Sequence, residues 1–343
     1  MIATIIKTGI LATLQDAGRI KGVEIGLTPS GVMDTYAYDI SNALVGNAYS
    51  APVIEVTAGG FSMRFNSPCL IAITGAKTQV KLDGVNIKLW ESYLAPKDAL
   101  LELESVDFGF RNYIAIGGQW LNTQTFLGSS ATDMKTRIGG LCGDKLKPSD
   151  QIEILVSSPF VKRRWTQFDA RYHHQLKENH KIIRIIKGPQ WDAFDDEQIK
   201  KFLTCSYEVH VSSDRMGIRL EGDVICHKEK ADIITDIVVM GAIQVPGNGK
   251  PIIMMADRQV SGGYTKIATV IQADLPILAQ TKGGDTLNFE WVELEKLKTL
   301  NDLEMPKRSS ISEESRSILC SSKYKISLSQ GQVYDVLVER LDD

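Results

Sequence analysis

The sequence has little that would form a disulfide framework, a membrane span or a nucleic-acid surface. Its five cysteines, an odd number spread over 343 residues, suit reduced thiols, and we expect a cytoplasmic protein. Apolar residues nowhere run for about 18 consecutive positions, and Thr, Lys and Gly interrupt them near the amino terminus, so we expect a soluble chain without a membrane span or secretion signal. The 39 basic residues are balanced by 42 acidic ones, which leaves no basic face for nucleic acid.

Familiar metal and phosphate motifs are absent as well. The sequence has neither a CxxC pair nor an HExxH motif, so we predict no metal site. Residues 247–251 superficially suggest a phosphate loop, but the first glycine of that motif is missing and Pro251 replaces its Ser or Thr. Asn248-Gly249 instead predicts a hairpin turn. We interpret the adjacent His173 and His174 as solvated linker residues.

Strand signals dominate what is present. Short segments rich in Val, Ile, Thr and Phe recur between Gly, Asp, Asn and Pro residues, which is typical of β-strands. The clearest lie at 53–57, 69–74, 78–82, 99–103, 113–116, 181–186, 207–211, 217–220, 252–255 and 286–290. Helical patterns are confined to 33–44, 195–202 and 275–280. Asp34 or Ser30 can cap the first helix and Gly46 can end it. This pattern favours a mostly β, barrel-like fold over a doubly wound parallel sheet, which would need crossover helices.

The domain organisation follows from a polar stretch that separates two strand-rich halves. We predict an N-terminal β-barrel subdomain at 1–160, a linker at 161–180, a C-terminal β-barrel subdomain at 181–292 and a tail at 293–343. A long surface insertion within one domain is the alternative for the linker. Within the tail, the Ser-rich residues 309–322 predict a flexible linker, and alternating apolar residues on both sides of Gln330-Gly331 predict a β-hairpin.

A dense polar set in the second half supplies the candidate chemistry. It occupies residues 213–220, 241–246, 256–259 and 261–267. Strand alternation would place Asp257 and Gln259 on one face and Arg258 on the other. Two glycines followed by a phenol and an ammonium group, ending at Lys266, could hold a carboxylate or phosphate oxygen. A Gly-Gly turn with a solvated lysine would look the same, and Asp-Arg pairs at 214, 215 and 219 also fit a purely structural ion-pair lattice.

The order of the motifs resembles a family of bacterial 5-oxoprolinase components, the C subunits, also called allophanate hydrolase subunit 2 or the biotin-dependent carboxyltransferase A/B domain. The resemblance spans about residues 1–292. The motifs that carry it are TLQDAGR at 13–19, PSGVMD at 29–34, NALVGN at 42–47, Glu55, GA at 75–76, RNY at 111–113, LGSSATD at 127–133, GPQ at 188–190, SDRMG at 213–217 and the run from 241 to 273.

This resemblance implies two cyclophilin-like β-barrel subdomains and an enzyme component that is active in complex with the A and B subunits of 5-oxoprolinase. The implied reaction is the ATP-dependent opening of 5-oxoproline, a lactam, to glutamate. On this view Lys266, Asp257 and Asp214 are the catalytic candidates. The substrate-binding candidates are Arg258, Gln259, Gly262, Gly263, Tyr264, Gln244 and Arg215.

Two alternatives stay open at this point. Relatives within urea carboxylase help to move a carboxyl group from carboxybiotin to urea. This chain has only a partial look-alike of a biotin attachment site, at 133–136, so any biotin would be carried by another protein. Other relatives are described as regulators that neutralise an inhibitor of a sporulation kinase, and the chain could then be a non-catalytic binding module.

Overall fold

The computed structural model describes residues 1–156, 160–165, 170–304, 315–327 and 333–341. It is mostly β, with curled sheets and few helices, which confirms the predicted class. The α-helices among the described residues are α1 (Thr35–Val45), α2 (Ala170–Lys177), α3 (Asp196–Thr204), α4 (Leu275–Ala279) and α5 (Leu294–Glu304). None of these helices is long and apolar enough to span a bilayer.

A ten-stranded sheet forms most of the first half of the described chain. Its strands are β1 (Ile2–Thr8), β2 (Leu11–Gln15), β3 (Val53–Thr57), β4 (Gly59–Phe65), β5 (Cys69–Leu82), β6 (Val85–Ile87), β7 (Ser92–Ala95), β8 (Leu100–Ile116), β9 (Gly118–Trp120) and β10 (Gln151–Val156). The order is β2-β3-β8-β4-β1-β10-β9, and β5 pairs with β6, β7 and β8. Register shifts between Gly75 and Val80 interrupt the β5–β8 ladder, and such bulges bend long strands. The predicted strands 69–74 and 78–82 are therefore one bent strand.

The segment predicted as a linker contains packed elements instead of a solvated connection. Strand β11 (Arg163–Trp165) and helix α2 (Ala170–Lys177) both lie within this segment. Tyr172 and Leu176 of α2 are buried in the core against residues of both halves. Helix α2 is difficult to predict from the sequence, because this segment has a low mean hydropathy and few apolar residues. The division into two subdomains stays a prediction.

The second half forms a sheet that closes on itself. Its strands are β12 (His180–Lys187), β13 (Tyr207–Val209), β14 (Gly217–Glu221), β15 (Asp232–Ile237), β16 (Ala242–Val245), β17 (Ile252–Met254), β18 (Ser261–Val270) and β19 (Thr286–Trp291). The order is β12-β19-β13-β14-β17-β16-β18-β15, and an additional β12–β18 pairing closes the ring. The pairing of β12 with β19 is parallel. Residues 247–251 connect the antiparallel β16 and β17, and Gly249 has φ 71°, so the predicted hairpin turn is confirmed.

Helix α1 lies between the two halves. The Asp34 carboxylate accepts a hydrogen bond from Ala37 N at 2.9 Å, and Gly46 adopts φ 75° at the other end. Both predicted caps are therefore confirmed. Every helical residue from Tyr36 to Val45 is buried, because β5 and β8 pack on one side and α4 on the other. The helix thereby brings polar groups of the two halves into contact.

Two large hydrophobic clusters form most of the core of the described chain, and Val238, Ala242 and Met254 form a small third one. Of the two large clusters, one lies within the first sheet. The other is built around α1 and includes Tyr113 and Ala115 of the first half together with Ile183 and Ile253 of the second.

In the tail, β20 (Ser315–Ser327) and β21 (Val333–Leu341) pair antiparallel, and β20 also pairs with β11. These two strands form the predicted hairpin. Strand β20 begins inside the segment predicted as a flexible linker, so that prediction is wrong for residues 315–322. The rest of that segment, 309–314, and the predicted Gln330-Gly331 turn lie outside the described residues.

Candidate functional site

A cavity of about 620 Å³ lies between the two halves, and we call it the central cavity. The first half contributes its wall from β2, the end of β3, the middle of β8 and the loop at 133–136. The second half contributes the loop before β14 and the loop between β17 and β18. Its polar lining residues are Thr28, Thr57, Arg111, Asp133, Lys135, Thr136, Ser213, Asp214, Arg215, Asp257, Gln259 and Ser261. Such a mixed polar and apolar cavity between two halves suits a small ligand.

Arg215 is the main polar link across the central cavity. Its Nε and Nη2 donate to the two oxygens of Asp257 at 2.9 and 3.0 Å, which is the forked geometry that fits a carboxylate. Its Nη1 contacts Glu55 Oε1, and Nη2 also donates to Gly31 O at 2.6 Å. One guanidinium therefore joins a carboxylate of each half.

Short loop contacts hold this pair in place. Asp214 Oδ1 accepts from the backbone N–H groups of Met216 and Gly217 at 2.8 and 3.2 Å, which closes the turn that carries Arg215. Asp257 N donates to Arg215 O at 2.8 Å. The ion pair is thus supported by backbone contacts and not by side chains alone.

Burial and charge act in opposite directions on the two partners. Burial by itself would lower the pKa of the Arg215 guanidinium, but Asp257 and Glu55 raise that pKa above its ordinary value, so the guanidinium stays charged. Burial raises the pKa of the Asp257 carboxyl, and Arg215 opposes this shift. A carboxyl group whose pKa moves towards neutrality, facing a cavity, has the properties of a general acid or base.

Glu55 connects this pair to a deeper network. Its Oε2 accepts from Tyr113 Oη at 2.9 Å and from Met33 N at 2.8 Å. The Tyr113 hydroxyl in turn accepts from Asp34 N at 2.9 Å. The network continues to Asp34, whose Oδ2 accepts from Tyr172 Oη at 2.6 Å and from Gln280 Nε2 at 2.7 Å.

Asp34 makes the stability of the protein depend on pH. Burial raises the pKa of its carboxyl group from 3.8 to about 6. Because the folded state holds this proton more tightly than the unfolded chain, the contribution to the free energy of unfolding is fully present below about pH 4. This stabilising contribution is lost as the pH rises to about 6. The pKa values of Asp34 in the folded and unfolded states differ by roughly two units, which corresponds to about 3 kcal/mol.

The check is urea unfolding of the wild type and of Asp34→Asn at several pH values from about 4 to 7, the range that this pKa shift affects. We expect the difference in the free energy of unfolding between the wild type and Asp34→Asn to decrease by about 3 kcal/mol as the pH rises across that range. Gln280 cannot rotate to suit the new amide, because its Oε1 already accepts from Phe110 N and Arg111 N, so the variant also has a pH-independent cost. Parallel pH profiles of the two proteins would contradict the assignment.

The structure brings together some of the predicted site residues. Asp214, Arg215, Asp257 and Gln259 all line the central cavity. A neighbouring cavity of about 350 Å³, the side cavity, is lined by Asp214 and Gln259 together with Gln244 and Tyr264. Asp257 and Gln259 both line the central cavity, but they lie in a loop, so the predicted strand alternation does not apply to them.

Arg258 and the two glycines are placed differently from the prediction. Arg258 lines neither cavity, and its Nε donates to Val238 O at 2.9 Å. Gly262 and Gly263 lie within β18, so the alternative of a Gly-Gly turn is wrong, and neither of these predicted substrate-binding glycines lines the central or the side cavity. The amide groups of Gln244 and Gln259 pack against the bare backbone of Gly262, where a Cβ would lie 2.7 Å from Gln244 Nε2 and 2.9 Å from Gln259 Nε2.

Lys266 does not join the other candidates. It lies in β18 with 2% of its surface exposed, and its Nζ donates to Asp236 Oδ2 at 2.8 Å. Gln190 completes this cluster: its Oε1 accepts from Lys266 N at 3.1 Å and its Nε2 donates to Asp236 at 3.3 Å. Lys266 lines neither the central nor the side cavity. Lys266 and Asp257 therefore do not line a common cavity, contrary to the prediction.

The two histidines also separate. His174 is exposed, but His173 is partly buried and its ring meets Trp90 edge-on with centroids 5.3 Å apart. Burial and the nearby Lys177 charge lower the pKa of His173 to about 4. The interpretation of both as solvated linker residues is wrong for His173.

Three groups at or beside the central cavity are not among the predicted site residues. Glu55, Arg111 and Asp133 stand out in the sequence only as parts of family motifs, and Asp133 also lies within the partial look-alike of a biotin attachment site. Glu55 and Arg111 lie on the neighbouring strands β3 and β8, whose register pairs Glu55 with Tyr113. An acidic residue inside the β-branched run VIEVT is the available signal, because an isolated buried charge requires a partner.

Comparison with known proteins gives consistent results. A sequence model of the family described as carboxyltransferase domain, subdomain A and B, matches residues 25–291. The C subunit of 5-oxoprolinase from Escherichia coli K12 is 34% identical over 294 residues, which cover 85% of this chain and 92% of that protein. Its counterpart from Haemophilus influenzae is 32% identical over 295 residues, with coverage of 85% and 93%. The crystal structure of urea amidolyase from K. lactis matches with a TM-score of 0.81 and 25% identity over 91% of this chain, which spans 20% of that larger protein.

Proposed function

The chain belongs to the carboxyltransferase domain family, subdomains A and B, and on that premise we propose that it is the C subunit of an ATP-dependent 5-oxoprolinase. The single observation that supports this choice best is the 34% identity to the E. coli C subunit across 92% of that protein. We propose that the chain works with the A and B subunits and that the enzyme converts the 5-oxoproline lactam to glutamate.

The central cavity offers the chemistry that a lactam requires. A lactam carbonyl is stabilised by amide resonance, so its opening needs activation of the carbonyl oxygen and a group that moves protons. ATP, as a co-substrate, would supply a phosphoryl group for that activation. Asp257 faces the cavity and is the proposed acid or base. Arg215 orients Asp257 and balances negative charge that develops beside it.

Reconstitution tests this function directly. The chain is mixed with the A and B subunits, and glutamate formed from 5-oxoproline is measured with and without ATP and with each component omitted in turn. We expect turnover only when ATP and all three proteins are present. Full turnover without this chain would refute the catalytic proposal and favour a regulatory role.

The catalytic role of Lys266 stays a prediction, and one variant decides it. Because the Lys266 ammonium group is bound to Asp236 outside the cavities, we expect Lys266→Ala to leave kcat close to the wild-type value in the reconstituted complex. The matched control is Lys250→Ala, since Lys250 also pairs with a single acid, Glu221, away from the central cavity. A large loss of kcat in a folded Lys266→Ala protein, without a similar loss in the control, would restore the predicted role.

Carboxyl transfer is the second candidate function, and the fold match to urea amidolyase favours it. When bound, carboxybiotin would supply the carboxyl group. The apolar wall of the central cavity, with Leu11, Leu27 and Met216, fits the fused rings of biotin, and Gln259 could hydrogen-bond its ureido group. A streptavidin blot of the native complex separates the two functions, because a biotinylated protein that co-purifies would support carboxyl transfer.

A further inference from the structure

A second large cavity, of about 800 Å³, is separate from the central cavity, and we call it the basic cavity. Its lining comes from between residues 75 and 80 on β5, 86 and 90 around β6, 107 and 108 on β8, and 173 and 177 on α2. It shares no lining residue with the central or the side cavity. A cavity of this volume can hold a ligand of the size of a nucleotide.

Positive charge dominates the polar part of this lining. Lys77 lies on β5, Lys88 follows β6 and Lys177 ends α2. Asp107 is the single acid among the described lining residues. None of the three ammonium groups has an ion-pair partner within the described part of the chain. Three separate elements thus place unpaired cations around one cavity, where a ligand with several negative charges would offset their mutual repulsion.

The rest of the basic cavity is largely apolar and aromatic. Val80, Leu89, Trp90, Phe108 and Leu176 form this part of the lining. Phe108 is half-buried, and its ring contacts no other aromatic ring among the described residues, so ring surface faces the cavity. Aromatic side chains of this kind bind a heterocyclic base by stacking. An apolar wall beside three cations fits a planar organic anion better than a simple inorganic ion.

Two amide side chains of the same lining offer a donor and an acceptor to a base. Gln79 Nε2 donates to Asn86 Oδ1 at 2.9 Å, which holds both amides between β5 and β6. Within the described part of the chain, this bond leaves Gln79 Oε1 as an acceptor and Asn86 Nδ2 as a donor. Adenine presents the complementary pair, an amino donor at N6 beside the acceptor N7. Guanine presents two acceptors, O6 and N7, on the same edge and therefore fits less well.

From these features we infer that the basic cavity binds an adenine nucleotide. The base would stack on Phe108 and meet the two amides, and the phosphates would contact the three lysines. The inference does not rest on the proposed function, because this site shares no residue with the cavity assigned to the substrate. A bound nucleotide would join α2 to the first sheet. Helix α2 also carries Tyr172, which donates to Asp34 at 2.6 Å, so the nucleotide would hold an element of the network behind Arg215.

The test is calorimetric titration of the full chain, without other subunits, with ADP, adenosine, pyrophosphate and GDP. We expect ADP to bind roughly 10- to 100-fold more tightly than adenosine, because adenosine lacks the groups that hydrogen-bond to charged side chains. Pyrophosphate, which lacks the base, and GDP should both bind more weakly than ADP. In hydrogen–deuterium exchange, ADP should protect α2 and β6 but not the loop between β17 and β18.

Paired variants locate the site. Lys77→Gln combined with Lys177→Gln should weaken ADP binding by about 10-fold or more and leave adenosine binding unchanged. Both side chains are exposed, so we expect this variant to fold. The matched control is Lys81→Gln combined with Lys147→Gln, which removes two lysines that pair with acids outside the basic cavity.

Four results would overturn the inference. They are the absence of ADP binding to the wild type, equal ADP affinities of the two double variants, pyrophosphate binding as tight as that of ADP, and loss of ADP binding in Lys135→Gln. The last result would place the nucleotide in the central cavity, which Lys135 lines.

Discussion

Replacing Asp257 with Asn is expected to lower kcat for the ATP-dependent conversion of 5-oxoproline to glutamate by about 100-fold or more. The amide has nearly the same shape as the carboxyl group and can still accept one hydrogen bond from Arg215, but it cannot take up or release a proton at neutral pH. The effect should therefore appear in kcat, whereas KM for 5-oxoproline should change little. The measurement is steady-state kinetics of the reconstituted complex.

Asp214→Asn is the matched control. Asp214 also lines the central cavity, but its carboxylate closes a turn through Met216 N and Gly217 N, and an asparagine oxygen can do the same. We expect this variant to retain most of its activity. If Asp214→Asn lost as much kcat as Asp257→Asn, or if Asp257→Asn kept its activity, the assignment of Asp257 would be wrong.

Replacing Arg215 with Met is expected to lower the free energy of unfolding by about 3–5 kcal/mol. The methionine can fill much of the space, but Asp257 and Glu55 lose the cation that both contact. Glu55 is almost completely buried, so its charge cannot be hydrated without opening the interface between the halves, and Asp257, which lines the central cavity, is mostly buried. Urea unfolding, monitored by circular dichroism, measures the loss.

A double substitution separates the lost ion pairs from lost packing. Adding Glu55→Gln to Arg215→Met removes one of the buried charges left without a partner, so the double variant should be more stable than Arg215→Met alone. Arg219→Met is the control, since Arg219 is an exposed arginine on the adjoining strand β14. Equal stability of Arg215→Met and Arg219→Met would show that the link across the cavity contributes little.

Local chemistry makes much of the fold predictable from sequence. Helix α1 follows from its cap at Asp34, its apolar repeat and Gly46, and all three depend on neighbours within about a dozen residues. Strand β3 has the bounds that the sequence predicts, because punctuation surrounds a short β-branched run. The hairpin between β16 and β17 follows from Asn248-Gly249.

Pairings that depend on tertiary contacts are not predictable in this way. Arg215 meets Glu55 across 160 residues, and no local pattern encodes that contact. The sequence alone suggests that Lys266 faces the cavity. Its partner Asp236 lies 30 residues earlier, on the neighbouring strand β15, and no local pattern encodes that pairing. The Gly262-Gly263 pair suggests a turn, whereas the absence of a side chain at Gly262 lets Gln244 and Gln259 pack over β18.

The proposal that connects the fold to the function is that the substrate binds between the two halves, next to Asp257. A crystal structure of the complete complex with 5-oxoproline tests it most directly. We predict one molecule of 5-oxoproline in the central cavity, with its lactam carbonyl within hydrogen-bond distance of the Arg215–Asp257 pair. Density for 5-oxoproline on either of the other two proteins of the complex, with none in the central cavity, would contradict this proposal.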